Sequence, residues 1–355
     1  MRVALAGTAV FVLACLLVPQ GLLVGAHYSD VHVYSTYAHA MTHGQVPYRD
    51  FFDEYPPFAQ PVLLAAVNVT LFKLVLVACG IGIVWLLAIV FRSWLAVAVF
   101  AISPLLVGPI YLNAYDLWPA FLLAASLALF ARHKPMWAFA ALGAATAAKI
   151  YPAAVLPIAL VFVPRACRVR GVAWFAGVFA LIHLPFLALG PGGLRFSYTV
   201  QLKRGLELNS LGASLLMAIH HRTLAGQAPG SLNVVGSTAR ATALASALLV
   251  LAAVAAATWL YARGRLPFLT ACAAAVAGVV AFDKVFSAQY VEWLAPLAPL
   301  GGVVAAGGTA VVLVLTHVVF SHRSAIAEQR DVALLLARNL AAVGLYAVLL
   351  ARNRL

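Results

Sequence analysis

Long apolar runs separated by short polar turns set the rhythm of this 355-residue chain. Residues 3–24, 70–91, 94–111, 117–131, 171–189, 241–262, 266–282, 290–301, 303–320 and 332–351 read as helices that cross a bilayer whose hydrocarbon core is about 30 Å thick. Residues 58–68 are too short to cross and are expected at the interface. Residues 136–163 begin and end at basic turns, yet Lys149-Ile150-Tyr151-Pro152 breaks them into halves of about thirteen residues, each about 20 Å long. Two polar segments interrupt the pattern. In the first, His27–Phe58, the stretch Asp30–His43 lacks Gly and Pro and predicts a surface helix, closed by Gly44-Gln45-Val46-Pro47; an irregular loop, Tyr48–Pro57, follows. In the second, 190–239, Leu194–Arg222 has helical character. The pattern predicts an all-α integral membrane protein of about twelve transmembrane or half-length helices. It forms a single domain over 1–355, with loops 25–58 and 190–239 covering one face. Residues 1–24 carry no convincing small-x-small site before Gly25 and read as an uncleaved first helix.

Composition agrees with the pattern: 65% of residues are hydrophobic and 9% charged, against roughly 25% charged in soluble domains. A single soluble core is excluded. The net charge of +13 raises nucleic acid as a partner, but the placement of the charges argues for topology instead. Arg2, Arg92, Arg132, Lys134, Arg165, Arg168, Arg170, Arg263, Arg265, Arg352 and Arg354 fall in turns or tails without Asp or Glu, the positive-inside signature. Asp30, Asp50, Asp53, Glu54, Asp116, Glu207, Asp283, Glu292, Glu328 and Asp331 lie in or beside the opposite loops. Both termini are therefore expected in the cytoplasm and the acidic face outside. Cys15, Cys79, Cys167 and Cys272 have neither CxxC spacing nor a disulfide pattern.

The acidic face gathers carboxylates (Asp30, Asp53, Glu54, Asp116), cations (Lys149, Arg204, Lys284) and tyrosines (Tyr48, Tyr55, Tyr151, Tyr290) around half-length helices. Transfer of a sugar from a lipid phosphate needs such a set: one carboxylate to take the acceptor's proton, and cations to hold the phosphate as its charge develops. Plainer readings stand beside this one. Asp30 and Asp116 are placed to cap helices, and Asp53-Glu54 fits a solvated pair. Arg204 and Lys284 suit an interface with lipid head groups, and Tyr290 an aromatic belt. Lys149, at a helix break below the surface, fits snorkelling poorly and calls for an anion or water. His32, His39 and His43 share a helical face, which suits interfacial contacts better than a metal. His220-His221-Arg222 reads as a helix end, and Arg338-Asn339 as a pair satisfied by another helix.

Five motifs, in order, resemble glycosyltransferase family 87, the polyprenyl-phosphate-mannose-dependent mannosyltransferases of the GT-C superfamily. They are Ser29-Asp30 with Tyr34, then Gly44-x-x-Pro47-Tyr48-Arg49-Asp50 with Glu54-Tyr55-Pro56-Pro57; Asp116-Leu117-Trp118-Pro119; Lys149-Ile150-Tyr151-Pro152; Arg204 through Ser210; and Lys284 through Tyr290 with Trp293. The resemblance covers roughly residues 28 to 300; Ala288 stands where the family pattern suggests Pro. It implies a GT-C-like fold and an inverting single displacement of mannose from a polyprenyl-phosphate donor to a lipid or glycan hydroxyl on the non-cytoplasmic face. It implies Asp30 as the base, and Lys149, Arg204, Lys284, Gln289 and Tyr290 at the donor phosphate. Asp53, Glu54, Tyr55, Asp116 and Tyr151 would then meet the sugar or acceptor. No cofactor, metal or nucleic acid is implied; the partners are the donor, the acceptor and membrane lipids. The competing class is a non-enzymatic transporter or flippase of lipid-linked saccharide. It would need access from both faces and usually carries repeats, whereas here the acids keep to one face and no repeat is evident.

Overall fold

The computed structural model describes residues 1–22, 29–220, 225–228, 231–322, 326 and 331–351. They divide into two compact units, Met1–Leu202 and Lys203–Leu355. Of the residues singled out in the sequence, His27, His221, Arg222, Glu328, Arg352 and Arg354 lie outside the described residues.

The first unit is built from helices. α1 (Arg2–Leu17) is shorter than the expected 3–24 span, because the backbone is extended at Val18 and left-handed at Gln20; residues 23 and 24 are not among those described. Lys73 closes this end, Nζ donating to Gln20 O at 2.8 Å and to Gly21 O at 2.7 Å. A cation there complements the helix dipole. α2 (Ser29–Thr42) is helical where a helix was expected, and α3 (Gln60–Leu64), flanked by 3₁₀ turns, is the short segment expected over 58–68. α4 (Val69–Trp85) runs on through a π turn to Val90, its first turn capped by the Asn68 side chain, and α5 (Trp94–Val107) is capped by Ser93. α6 (Leu117–Ala131) and α7 (Pro135–Ala148) form a hairpin. The break expected near Lys149 follows α7, with a 3₁₀ turn over Tyr151–Val155 before α8 (Leu156–Phe162). α9 (Arg165–Leu189) starts earlier than expected: Arg165, Arg168 and Arg170 form its first turns rather than a loop, since straight-chain arginines are good helix formers. α10 (Pro191–Lys203) completes this part of the chain. α7 packs against both α6 and α9. At Gly143 a Cβ would lie 2.4 Å from Phe175 O, so only glycine allows these backbones to touch.

The second unit adds a small sheet to the expected helices. The stretch expected to be helical over Leu194–Arg222 breaks after Lys203, and β1 (Leu206–Glu207) follows before α11 (Leu211–His220). β2 (Ala225–Ala228) and β3 (Ser231–Val234) complete an antiparallel sheet in the order β1-β3-β2, pairing Leu206 with Val234 and Ala228 with Ser231. Leu206, Leu208, Ala213, Met217, Val234, Val319 and Leu335 form the core beneath it. α12 (Ser237–Ala262), α13 (Phe268–Phe282), α15 (Val303–Ser321) and α16 (Val332–Ala351) are the long helices, and α13 packs against both α12 and α16. The expected crossing at 290–301 is instead a 3₁₀ turn, the four-residue α14 (Val291–Leu294) and a second 3₁₀ turn. Pro296 and Pro299 remove the N–H groups that a continuous helix needs.

Five described helices are long and apolar enough to cross a membrane: Val69–Val90, Arg165–Leu189, Ser237–Ala262, Val303–Ser321 and Val332–Ala351. The shorter apolar helices, such as α6 at 15 residues, reach only about 22 Å alone. Leu181, Leu184, Leu244, Leu248 and Leu251 stand exposed on α9 and α12, as side chains solvated by lipid do. The fold is that of a multi-helix membrane protein.

Candidate active site

The α6–α7 hairpin creates the centre of the first unit. Its turn, Arg132–Lys134, is short and its arms are 15 and 14 residues long, so the N-terminus of α6 and the C-terminus of α7 finish at one level. Asp116 and Lys149 stand at those two ends. Asp116 precedes α6 but makes no capping bond with its side chain. Its carboxylate, wholly buried, accepts from Lys149 Nζ at 2.6 Å. Lys149 leaves the helical conformation (φ −161°, ψ 143°) as α7 ends, which swings its side chain toward α6. Tyr115 supports it twice: its hydroxyl donates to Ala148 O at 3.2 Å, and its ring centroid lies 4.7 Å from Nζ. A desolvated ammonium over an aromatic face is held by the ring quadrupole.

Tyr34 from α2 and Tyr55 from the following loop pack on Tyr115, with ring centroids 5.9 and 5.1 Å from it and 5.4 Å from each other. Burial raises both phenols well above their ordinary range. The charges of Asp30 and Asp116 add to this at Tyr34, and Tyr34, Glu54 and Asp30 add to it at Tyr55. Both therefore stay protonated donors beside the carboxylates. Asp30 lies in the first turn of α2, the helix end that favours negative charge. Tyr151 is buried just beyond the helix break.

Asp53 is buried among its own loop: its Oδ1 accepts from Tyr55 N at 2.8 Å. Burial pushes its carboxyl up to about 7, with the Tyr55 N–H acting in the opposite direction. Next to it Tyr48, left-handed at φ 66°, donates its hydroxyl to Tyr55 O and accepts from Gln60 Nε2 at 3.2 Å. The backbone carbonyl of Glu54 accepts from Gln201 Nε2 at 3.3 Å. These bonds fix the loop that presents Tyr55.

In the second unit, Lys284 Nζ donates to Arg204 O at 2.7 Å, and Glu207 N donates to Lys284 O at 2.9 Å. The buried Glu207 carboxylate accepts from Phe286 N at 2.8 Å. Burial raises its pKa, while the charges of Arg204 and Arg338 and the Phe286 N–H counter this. Burial raises Asp283 and lowers Lys284, and the attraction between the two opposes both shifts. Arg338, buried on α16, donates to Asn209 O at 2.7 Å and covers the Phe286 ring at 3.7 Å, and Asn339 donates to Asn209 O and Ser214 Oγ. Tyr290 stacks on Trp293 at 4.1 Å, next to Gln289.

The structure thus joins Asp116, Lys149 and Tyr55 around Tyr115 in the first unit, with the charge of Asp30 reaching the same tyrosines. In the second unit it joins Arg204 to Lys284. Tyr115, Gln60, Glu207 and Arg338 were not among the predicted site residues. Tyr115 directly precedes Asp116, and Arg338 is a charge inside an apolar run; these were the available signals. No three His, Cys, Asp or Glu side chains among the described residues are grouped as a metal requires.

A buried Lys–Asp pair ringed by phenols thus stands at the ends of two apolar helices of a multi-helix membrane protein. The chain matches the model of glycosyltransferase family 87 over residues 51–287, more than half its length, and belongs to that family. The match includes Asp53, Tyr55, Asp116, Lys149, Arg204 and Lys284, while Asp30 precedes it. No curated protein and no solved structure matches the chain.

Proposed function

We propose that this membrane glycosyltransferase moves mannose from a polyprenyl-phosphate donor to a lipid or glycan hydroxyl on the non-cytoplasmic face. The observation that carries the reading is the buried Lys149–Asp116 pair beside phenols that feel the charge of Asp30. Asp30 takes the acceptor's proton as the acceptor oxygen attacks the anomeric carbon. The bond from that carbon to the phosphate oxygen breaks with inversion, and polyprenyl phosphate departs. Lys149, Arg204, Lys284, Gln289 and Tyr290 are assigned to the phosphate oxygens. Asp116, Tyr55 and Tyr151 contact the sugar or acceptor, and Asp53 and Glu54 shape the acceptor side. No metal is needed, because the cations neutralise the leaving group. The architecture is a GT-C-like bundle of about twelve transmembrane or half-length helices, with both termini cytoplasmic.

The test is transfer by purified protein in nanodiscs, using radiolabelled polyprenyl-phosphate mannose and a pool of membrane acceptors. Wild type is expected to give product and folded Asp30→Asn to lose at least about 100-fold, the scale of general-base catalysis. Equal product from both removes Asp30 from the base role. No product from either overturns the donor assignment and favours the transport reading.

A further inference from the structure

A groove of about 380 Å³ lies on the first unit, lined by Tyr48, Arg49, Asp50, Phe52, Gly193 and Phe196 among others. None of these residues belongs to the proposed catalytic set. The groove falls within the size range of small-ligand sites, about 300–1,000 Å³. Two features define its chemistry. Phe52 and Phe196 meet edge to face at 5.4 Å, yet remain 43% and 57% exposed, so each offers an uncovered ring. Beside them Arg49 Nε and NH2 donate to Asp50 Oδ1 and Oδ2 at 2.9 and 2.8 Å, and Asp50 Oδ2 also accepts from Val46 N at 2.7 Å. This bidentate pair is fixed in geometry and neutral in sum. The Arg49 hydrogen bond, then the Val46 N–H, hold Asp50 down to about 2, so the neutrality persists across the working pH range.

The walls are closely packed. Tyr48 sits at φ 66°, its side chain buried, and a Cβ added to Gly193 would lie 1.8 Å from Tyr48 O. The chain at 190–193 therefore lies directly against the backbone of the first loop. That loop runs on within a few residues to Asp53 and Tyr55, and thus to the tyrosine cluster.

A family 87 glycosyltransferase must bind an acceptor as well as a donor. A phosphate-bearing donor calls for net positive charge, which this groove lacks. Open aromatic faces beside a neutral fork of donors and acceptors suit the opposite ligand: an uncharged pyranose, whose C–H face rests on a ring while its hydroxyls exchange hydrogen bonds with the fork. We propose that the groove between Arg49–Phe52 and Gly192–Phe196 is a binding subsite for a neutral sugar unit of a glycan acceptor. The proposal rests on the enzyme class and on an acceptor that is a glycan, but not on mannose, the donor or Asp30.

Its test therefore needs no donor. Saturation-transfer NMR is run with methyl α-mannopyranoside and methyl β-glucopyranoside on the full chain in nanodiscs. The groove predicts transfer to ring protons of at least one glycoside in wild type and in Asp30→Asn, reduced at least fivefold in Phe52→Ala and Phe196→Ala. Both phenylalanines are exposed, so their truncation leaves the fold intact. No transfer in wild type, or equal transfer in all four proteins, overturns the proposal. So does strong quenching of a tryptophan at position 196 (Phe196→Trp) by brominated lipid, which would make the ring a lipid contact. If binding behaves as expected while Asp30→Asn still transfers sugar, the groove stands and the catalytic assignment falls.

Discussion

Asp53 and Gln60 each bury one oxygen, Oδ2 and Oε1, with no hydrogen-bond partner among the described residues. The two side chains interact, and burial raises the Asp53 carboxyl to about 7. Burial outweighs the Tyr55 N–H and the Gln60 side chain, both of which favour the ionised form, so the folded loop favours the neutral acid. The ordinary carboxyl value is 3.8, so between that pH and about 7 the folded state binds more protons than the unfolded state. Stability must fall as pH rises through this window, and the ionisation cost, on the order of a few kcal/mol, is fully present above it. Asp53→Asn, which stays neutral at every pH, is expected to match wild type at pH 3.5 and to exceed it in unfolding temperature at pH 8. Parallel pH curves for the two proteins would show that Asp53 is ionised in the folded state. The sequence supplied Asp53 as an acidic loop residue, but its enclosure depends on Gln60 and on Tyr48 reaching back across the loop. Such contacts carry no local pattern. Asp116 was legible as a helix-start residue, yet its side chain spends its hydrogen bonding on Lys149 instead of the cap.

Among elements, the break between α7 and α8 was legible because Pro152 and Lys149 both resist a continuous apolar helix. The β1-β3-β2 sheet was not, although Pro229-Gly230 is a turn dipeptide; its strands are two to four residues long, too short for alternation to register. The span at 290–301 was misjudged because hydropathy outweighed Pro296 and Pro299. Arg338 shows how an intramembrane charge binds elements. It was expected to satisfy a helix, and it satisfies instead the loop carbonyl of Asn209, between β1 and α11, and the Phe286 ring, while its charge steadies Glu207. Removing one member leaves another buried and poorly compensated. Arg338→Met is expected to destabilise the protein by about 3 kcal/mol, measured by denaturant unfolding in detergent. Adding Glu207→Gln should recover part of that loss, because the two groups share one network. Strict additivity of the two substitutions would mean that α16 is held to β1–α11 by the carbonyl bond alone.

At the scale of the whole molecule, the segregation of charge is the ground on which the chemistry is proposed to face one side of the membrane. Along α6 it can be read directly: Asp116 precedes the helix, Arg132 follows it, and α7 returns from Lys134 to Lys149. The basic hairpin turn and the Asp116–Lys149 pair therefore occupy opposite ends of the same two helices. If Lys and Arg are retained in the cytoplasm, as the positive-inside rule has it, the pair is expected outside. The prediction can be read without activity. With Cys15, Cys79, Cys167 and Cys272 replaced by alanine, single cysteines are introduced at two exposed positions, Gln45 and Lys134. Gln45→Cys is expected to react with a membrane-impermeant maleimide in intact cells, and Lys134→Cys only after permeabilisation. The reverse pattern would turn the Asp116–Lys149 pair toward the cytoplasm, where soluble nucleotide sugars are available. A lipid-phosphate donor would then no longer follow from the topology, even though membership of the glycosyltransferase family would stand.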